Sequence, residues 1–245
     1  MSEGEEEIEV SESGQPIFRH KPRERPFEPA ISDGSDAEAI CSHVESHLGP
    51  IDLVYHELLS DLVHIDVHEI KPRPDRNFWT FITTGMSDRP MTVPDGVDDA
   101  RYAELMICLP PTWKVSDEAF QDEANYWPIG LVKMLSRLPH EYQTWLAPGH
   151  TVPNGDPPEP FDPTTKFCCA LLVNPQTTPP GFDQVETAPG KVVRFLAVIP
   201  LYLEEVDLKL KKGSDEIFQK LTKQGVTELL KPGRKNVARK SIWPF

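Results

Sequence analysis

His64, Asp66 and His68 stand at alternate positions in His64-Ile65-Asp66-Val67-His68. On a strand, next-but-one side chains share a face and lie about 6.6–7 Å apart. Two imidazoles and a carboxylate on one face are ligand types for a metal ion, or an acid–base set, and would suit a small metal-dependent hydrolase. His56 lies one strand earlier and adds a third imidazole to the neighbourhood. The bland reading is a polar strand face alternating with Val63, Ile65 and Val67, which any half-exposed strand requires. Next-but-one residues on a flat strand also spread too widely for tight tetrahedral ligation. The expectation is therefore no metal and no cofactor, with His64, Asp66 and His68 as the weak candidates.

Nucleophilic chemistry is poorly supported. Cys41, Cys108, Cys168 and Cys169 form no CxxC pair and no finger-like spacing with histidine. A cysteine nucleophile would pair Cys168 or Cys169 with His140 or His150, but both thiols sit in an apolar run that disfavours the thiolate. The chain has no GxSxG, P-loop, GxGxxG or HExxH pattern. Glu57 with Asp61, and Glu204 with Glu205, read as solvent-facing acids. No catalytic residue is expected.

Binding residues are easier to nominate. The segment 147–163 holds six prolines and no periodicity, and long ordered loops on a rigid scaffold are where contact residues concentrate. Asn154-Gly155 favours a tight turn. Aromatic residues cluster just before it. The expected partner-binding set is Trp113, Trp127, His140, Tyr142, Trp145, His150, Asn154 and Asp156.

The positioning elements follow from periodicity. Ser35-Asp36-Ala37-Glu38 starts a helix whose Ile40, Val44 and Leu48 precede the stop at Gly49-Pro50. Strands are expected at 53–58, 62–70, 78–84 and 101–109, joined mostly by short links that favour antiparallel pairing. Ile129, Val132, Leu135 and Leu138 then mark the main helix, with Pro128 at its start. Pro139 is expected to kink or split it, leaving a short helix over 141–146. Strands at 166–173 and 192–202 follow, then a helix from Ser214 towards Leu230. The fold class is α+β or mixed α/β: one central sheet, mainly antiparallel or mixed, packed with helices in a single domain.

Charge divides the chain. The 245 residues carry a net charge of −14, yet residues 209–245 hold three acids against ten bases, leaving −21 on residues 1–208. Such a body repels nucleic acid and membranes and attracts a basic partner. The basic tail reads as solvated, or as resting on the acidic body. Residues 1–34, with six Glu in the first twelve and then a Pro/Arg-rich run, read as disordered. The ordered domain is expected over 35–230, with 231–245 as a basic tail in which Ile242-Trp243-Pro244-Phe245 can dock on the body. No run approaches the roughly 20 apolar residues of a membrane helix, and the acidic start is unlike a signal peptide. A cytoplasmic location is expected.

Several blocks in order, HELLSDLVHIDV (56–67), FITTGMSDRPMTVP (81–94), RYAELMICLPPTW (101–113), WPIGLVKMLSRLPHEY (127–142), GHTVPNGDPPEPF (149–161) and TKFCCALLV (165–173), resemble the suppressor of fused domain over about residues 36–230. The resemblance implies a mixed α/β domain that binds other proteins and is not an enzyme. Animal members add a second domain and clamp an extended segment of a transcription factor, a clamp this length has no room for. Single-domain members are typical of bacteria, where the resemblance implies an immunity protein. That implies neutralisation of a toxin, for which a basic nuclease would suit the acidic body, with a regulator or adaptor of a signalling or transcription protein as the alternative.

Overall fold

Two stretches are apolar at every position and a third at all but Glu104, and that dictates the architecture. In a computed structural model, which describes residues 9–21, 24–31, 34–57 and 60–239, they are β6 (Ala103–Leu109), β8 (Phe167–Val173) and the later part of β10 (Lys191–Tyr202). A strand buried on both sides needs cover on both faces of its sheet. Around them lie β1 (Glu9–Val10), β2 (Pro16–Ile17), α1 (Ser35–Leu48), β3 (Leu53–Tyr55), β4 (Asp66–Ile70), β5 (Trp79–Thr84), α2 (Glu123–Tyr142), β7 (Thr151–Pro153), β9 (Gln184–Ala188), α3 (Leu203–Lys212) and α4 (Ser214–Lys223). Eight strands form one sheet in the order β3-β4-β5-β6-β10-β8-β7, with β9 also paired to β10. The β6–β10 pair is parallel and its crossover carries α2; the other pairs are antiparallel, so the sheet is mixed.

Alternation assigns the faces. Val67, Phe81, Leu105 and Ile107 pack with Trp127, Ile129, Val132 and Leu135 of α2. Ile70, Ile82, Met106 and Cys108 point the other way, onto Ile40 and Val44 of α1 and Ile217 and Leu221 of α4. No helix among the described residues is long and apolar enough to cross a membrane.

Some elements depart from the sequence expectations, each for a local reason. Helix α2 is not split at Pro139: it runs on through Glu141 to Tyr142, and no separate helix occupies 143–146. Pro139 falls in the last turn, where its missing amide removes one bond, and its carbonyl accepts from the Thr144 amide at 3.0 Å as the chain leaves through left-handed Gln143. The strand expected at 62–70 begins only at Asp66. Helix α4 ends at Lys223 rather than near Leu230, because 228–230 run beside β6: the Leu230 amide donates to the Cys108 carbonyl at 2.8 Å. Strands β7 and β9 and helix α3 were not expected. Residues 9–21 and 24–31, read as disordered, make defined contacts. The Ser13 amide donates to the Leu210 carbonyl at 2.9 Å, and Arg25 grips Asp61 through two bonds of 2.9 and 2.7 Å. Leu58, the expected end of the first strand, and the Ile242–Phe245 docking segment lie outside the described residues.

One buried acid has a measurable signature. Glu104 is fully buried and accepts from the Ser87 amide, the Ser87 hydroxyl and the Thr83 hydroxyl at 2.9, 2.7 and 2.6 Å. Burial outweighs these bonds and pushes its carboxyl from 4.5 up to about 7. The folded state therefore holds this proton more tightly than the unfolded chain does, so the group favours folding increasingly as pH falls from about 7 to 4.5. Denaturant titrations across that window should show wild type gaining up to about 3 kcal/mol relative to Glu104→Gln, which lacks the group. Parallel pH curves for the two proteins would contradict it.

Candidate functional site

Two of the expected binding residues meet at a cleft. Trp113 follows β6 and Trp127 lies in α2; their rings are edge-on with centroids 6.2 Å apart. The Trp113 indole donates to the Asn125 carbonyl at 2.9 Å, and Trp127 stacks on Phe161 at 5.5 Å with planes 3° apart. Both tryptophans line an open cleft of about 1300 Å³. Its far side is the C-terminal segment 232–237, its floor includes Phe167 and Tyr202, and Lys114, Lys166 and Lys235 also face it. Asp122 caps α2 by accepting from the Ala124 amide at 3.0 Å, which fixes the Trp127 wall.

A buried ion pair holds the opposite wall. Arg234 meets Glu205 with two bonds of 2.6 Å and donates to the Pro200 carbonyl at 2.9 Å. Its guanidinium also lies 5.2 and 5.0 Å from the rings of Phe167 and Tyr202. Glu205 further accepts from the Val237 amide at 2.8 Å and caps α3 through the Tyr202 amide at 3.1 Å. Beside it Glu204 accepts from Arg239 and Asn236, both at 2.7 Å, and the Arg239 contact lowers its carboxyl. Glu205, read from sequence as solvent-facing, is thus fully buried, and residues 231–239 rest on these two acids.

The other expected residues are scattered. His140 is buried, its Nε2 lies 2.9 Å from the Met86 carbonyl, and burial lowers its pKa. Tyr142 stacks on His20 at 5.1 Å, and Trp145 meets His150 edge-on at 4.6 Å. Trp145 borders a separate cavity of about 250 Å³ with Tyr102 and Arg194. Asn154 fixes its own loop by donating to the Glu159 and Pro160 carbonyls at 3.0 and 3.1 Å, beside left-handed Gly155. Asp156 is exposed and pairs with Arg19.

The histidine–aspartate set regroups. Extending the β3–β4 register puts His56 opposite Asp66, and its Nδ1 lies 2.9 Å from Asp66 Oδ2. His64 precedes the strand and brings Nε2 to 3.1 Å from Asp66 Oδ1. His68 turns away: its Nε2 is 2.9 Å from the Thr84 hydroxyl, and Cys41 Sγ lies 3.7 Å from its Nδ1. Among the described residues the group able to hold a cation is therefore His56, His64 and Asp66, not His64, Asp66 and His68. The thiol met by an imidazole is Cys41, but burial pushes it up to about 11 and lowers His68, which leaves a neutral pair rather than a thiolate–imidazolium. Burial also raises Cys108 to about 12, and Cys168 and Cys169 likewise rise.

Comparison with known proteins adds the lineage. The model of the family described as suppressor of fused protein (SUFU) matches residues 61–235. A SUFU homolog from Neisseria gonorrhoeae FA 1090 is 16% identical with a TM-score of 0.61, over 83% of this chain and 97% of that one. The structure of a Sufu–Fu complex is 18% identical with a TM-score of 0.57, over 86% and 93%. Drosophila Suppressor of Fused is 17% identical with a TM-score of 0.53, over 88% of this chain but 52% of that longer one. Among curated protein sequences none matches.

Proposed function

The chain belongs to the suppressor of fused family, and we propose that it is a non-catalytic protein-binding module whose cleft receives a segment of its partner. The observation that carries this reading is the cleft itself, about 1300 Å³, with Trp113 and Trp127 on one side and an Arg234–Glu205 latch on the other. Tryptophan-rimmed concavities on fixed walls are where partner anchors gain most. That a similar structure is a Sufu–Fu complex supports a binding role.

More finely, the protein is an immunity-type neutraliser of a basic toxin, a nuclease being the kind that best suits it, and acts in the cytoplasm. Support comes from the −21 carried by residues 1–208, which steers a basic protein towards the body and repels nucleic acid. The second reading, a regulator of a signalling or transcription protein, uses the same cleft and draws on the Sufu–Fu complex.

Capture on the immobilised protein from a lysate of its own source, at low and then high salt, separates these readings. The neutraliser reading expects a near-stoichiometric basic protein that elutes as salt rises. An acidic or salt-insensitive partner favours the regulator. Nothing enriched at either salt contradicts binding altogether.

A further inference from the structure

We propose that His56, His64 and Asp66 form a binding site for a single divalent transition-metal ion of the zinc class. Hydrogen-bond bookkeeping carries the inference. The Ser60 hydroxyl gives its one proton to Glu57 Oε2 at 2.9 Å. Its oxygen also lies 2.8 Å from His64 Nδ1, so Nδ1 is engaged there and Nε2 is the ring nitrogen free to meet another group. Nε2 stands 3.1 Å from Asp66 Oδ1, an oxygen shielded from solvent that accepts no hydrogen bond. Two imidazole nitrogens and a carboxylate that converge here, with one carboxylate oxygen left without a hydrogen bond, are a donor set that a cation would complete.

The dimensions fit. Tetrahedral zinc with bonds of about 2.0–2.1 Å keeps its donors about 3.3 Å apart. Here His56 Nδ1 lies 2.9 Å from Oδ2 of Asp66 and His64 Nε2 lies 3.1 Å from its Oδ1, and with one donor atom taken from each residue all three lie within 4.8 Å of one another. Imidazole with carboxylate is a donor set that suits this ion class. The Glu57–Ser60–His64 chain is the outer support that holds a ligating imidazole in one tautomer. Glu57 is itself anchored by Arg137, so that cation is already engaged, whereas Lys133 of α2 interacts with Asp66 and opposes an incoming ion. With three protein donors and an exposed His56, the fourth position is open to water.

The test is calorimetric titration of the full-length, untagged protein with zinc alone, paired with the visible absorption of bound cobalt. Wild type should show one saturable site with a tetrahedral cobalt spectrum. His56→Ala, exposed and harmless to the fold, His64→Ala and Asp66→Asn should each weaken zinc at least ten-fold. Ser60→Ala should weaken it about ten-fold, Lys133→Met should tighten it, and His68→Ala should leave it unchanged. The stacked pair His43 and His47 on α1 is the competing zinc source. Wild-type binding that survives in His56→Ala and Asp66→Asn but falls with His47→Ala would overturn the proposal, as would no saturable binding at all.

Discussion

Arg234→Met should destabilise the protein by about 3–5 kcal/mol, because it strands a fully buried Glu205 without its cation. The side chains of Arg234 and Glu205 are 7% and 0% exposed, and the pair is joined by two parallel bonds, so water cannot replace the lost partner. Glu205 also accepts from the Val237 and Tyr202 amides, so the C-terminal wall of the cleft and the start of α3 loosen together. Chemical denaturation measures the loss. The double variant Arg234→Met with Glu205→Leu should recover most of it, since apolar replacement of a whole buried pair is often close to neutral. A single variant within 1 kcal/mol of wild type would show that the latch is not structural.

Gly85→Ala should be comparably damaging. Gly85 has φ +97, and an added Cβ would sit 1.8 Å from the His64 carbonyl oxygen, a backbone atom that cannot swing aside. The left-handed conformation costs about 1–2 kcal/mol, and forced overpacking adds about 1–3 kcal/mol. The turn that follows carries Met86 into the core and Ser87 onto Glu104, so displacement spreads to both. Gly96 is the control: its φ is +83 with nothing near an added Cβ, so Gly96→Ala should cost only the conformational part. Equal melting of the two variants would remove the steric account.

Legibility from sequence followed the strength of local pattern. Strand β8 and the later part of β10 are continuous apolar runs, β6 is one broken only by Glu104, and α1 has a polar start and a Gly-Pro stop, so each was readable. Strand β7 is three residues ending in Pro153, and β9 alternates on a largely exposed edge, so neither carries a run that periodicity detects. Helix α3 abuts β10 with no breaker between Tyr202 and Leu203; its boundary is a cap made by Glu205, visible only once the side chain is placed. The aromatic wall of the cleft was legible in Trp113 and Trp127, but its opposite wall was not. Glu205 and Arg234 lie 29 residues apart, and only the packing of 231–239 onto α3 unites them. Likewise, spacing along one strand favoured His68, whereas the β3–β4 register brings His56 to Asp66 instead.

Hydrogen–deuterium exchange of the chain alone and bound to its captured partner decides whether the partner is held in the cleft. New protection is expected at 112–114, 124–127, 164–167 and 232–237, four segments that line the cleft. Protection confined to other surfaces, such as the β3 edge, with those four segments unchanged, would contradict it.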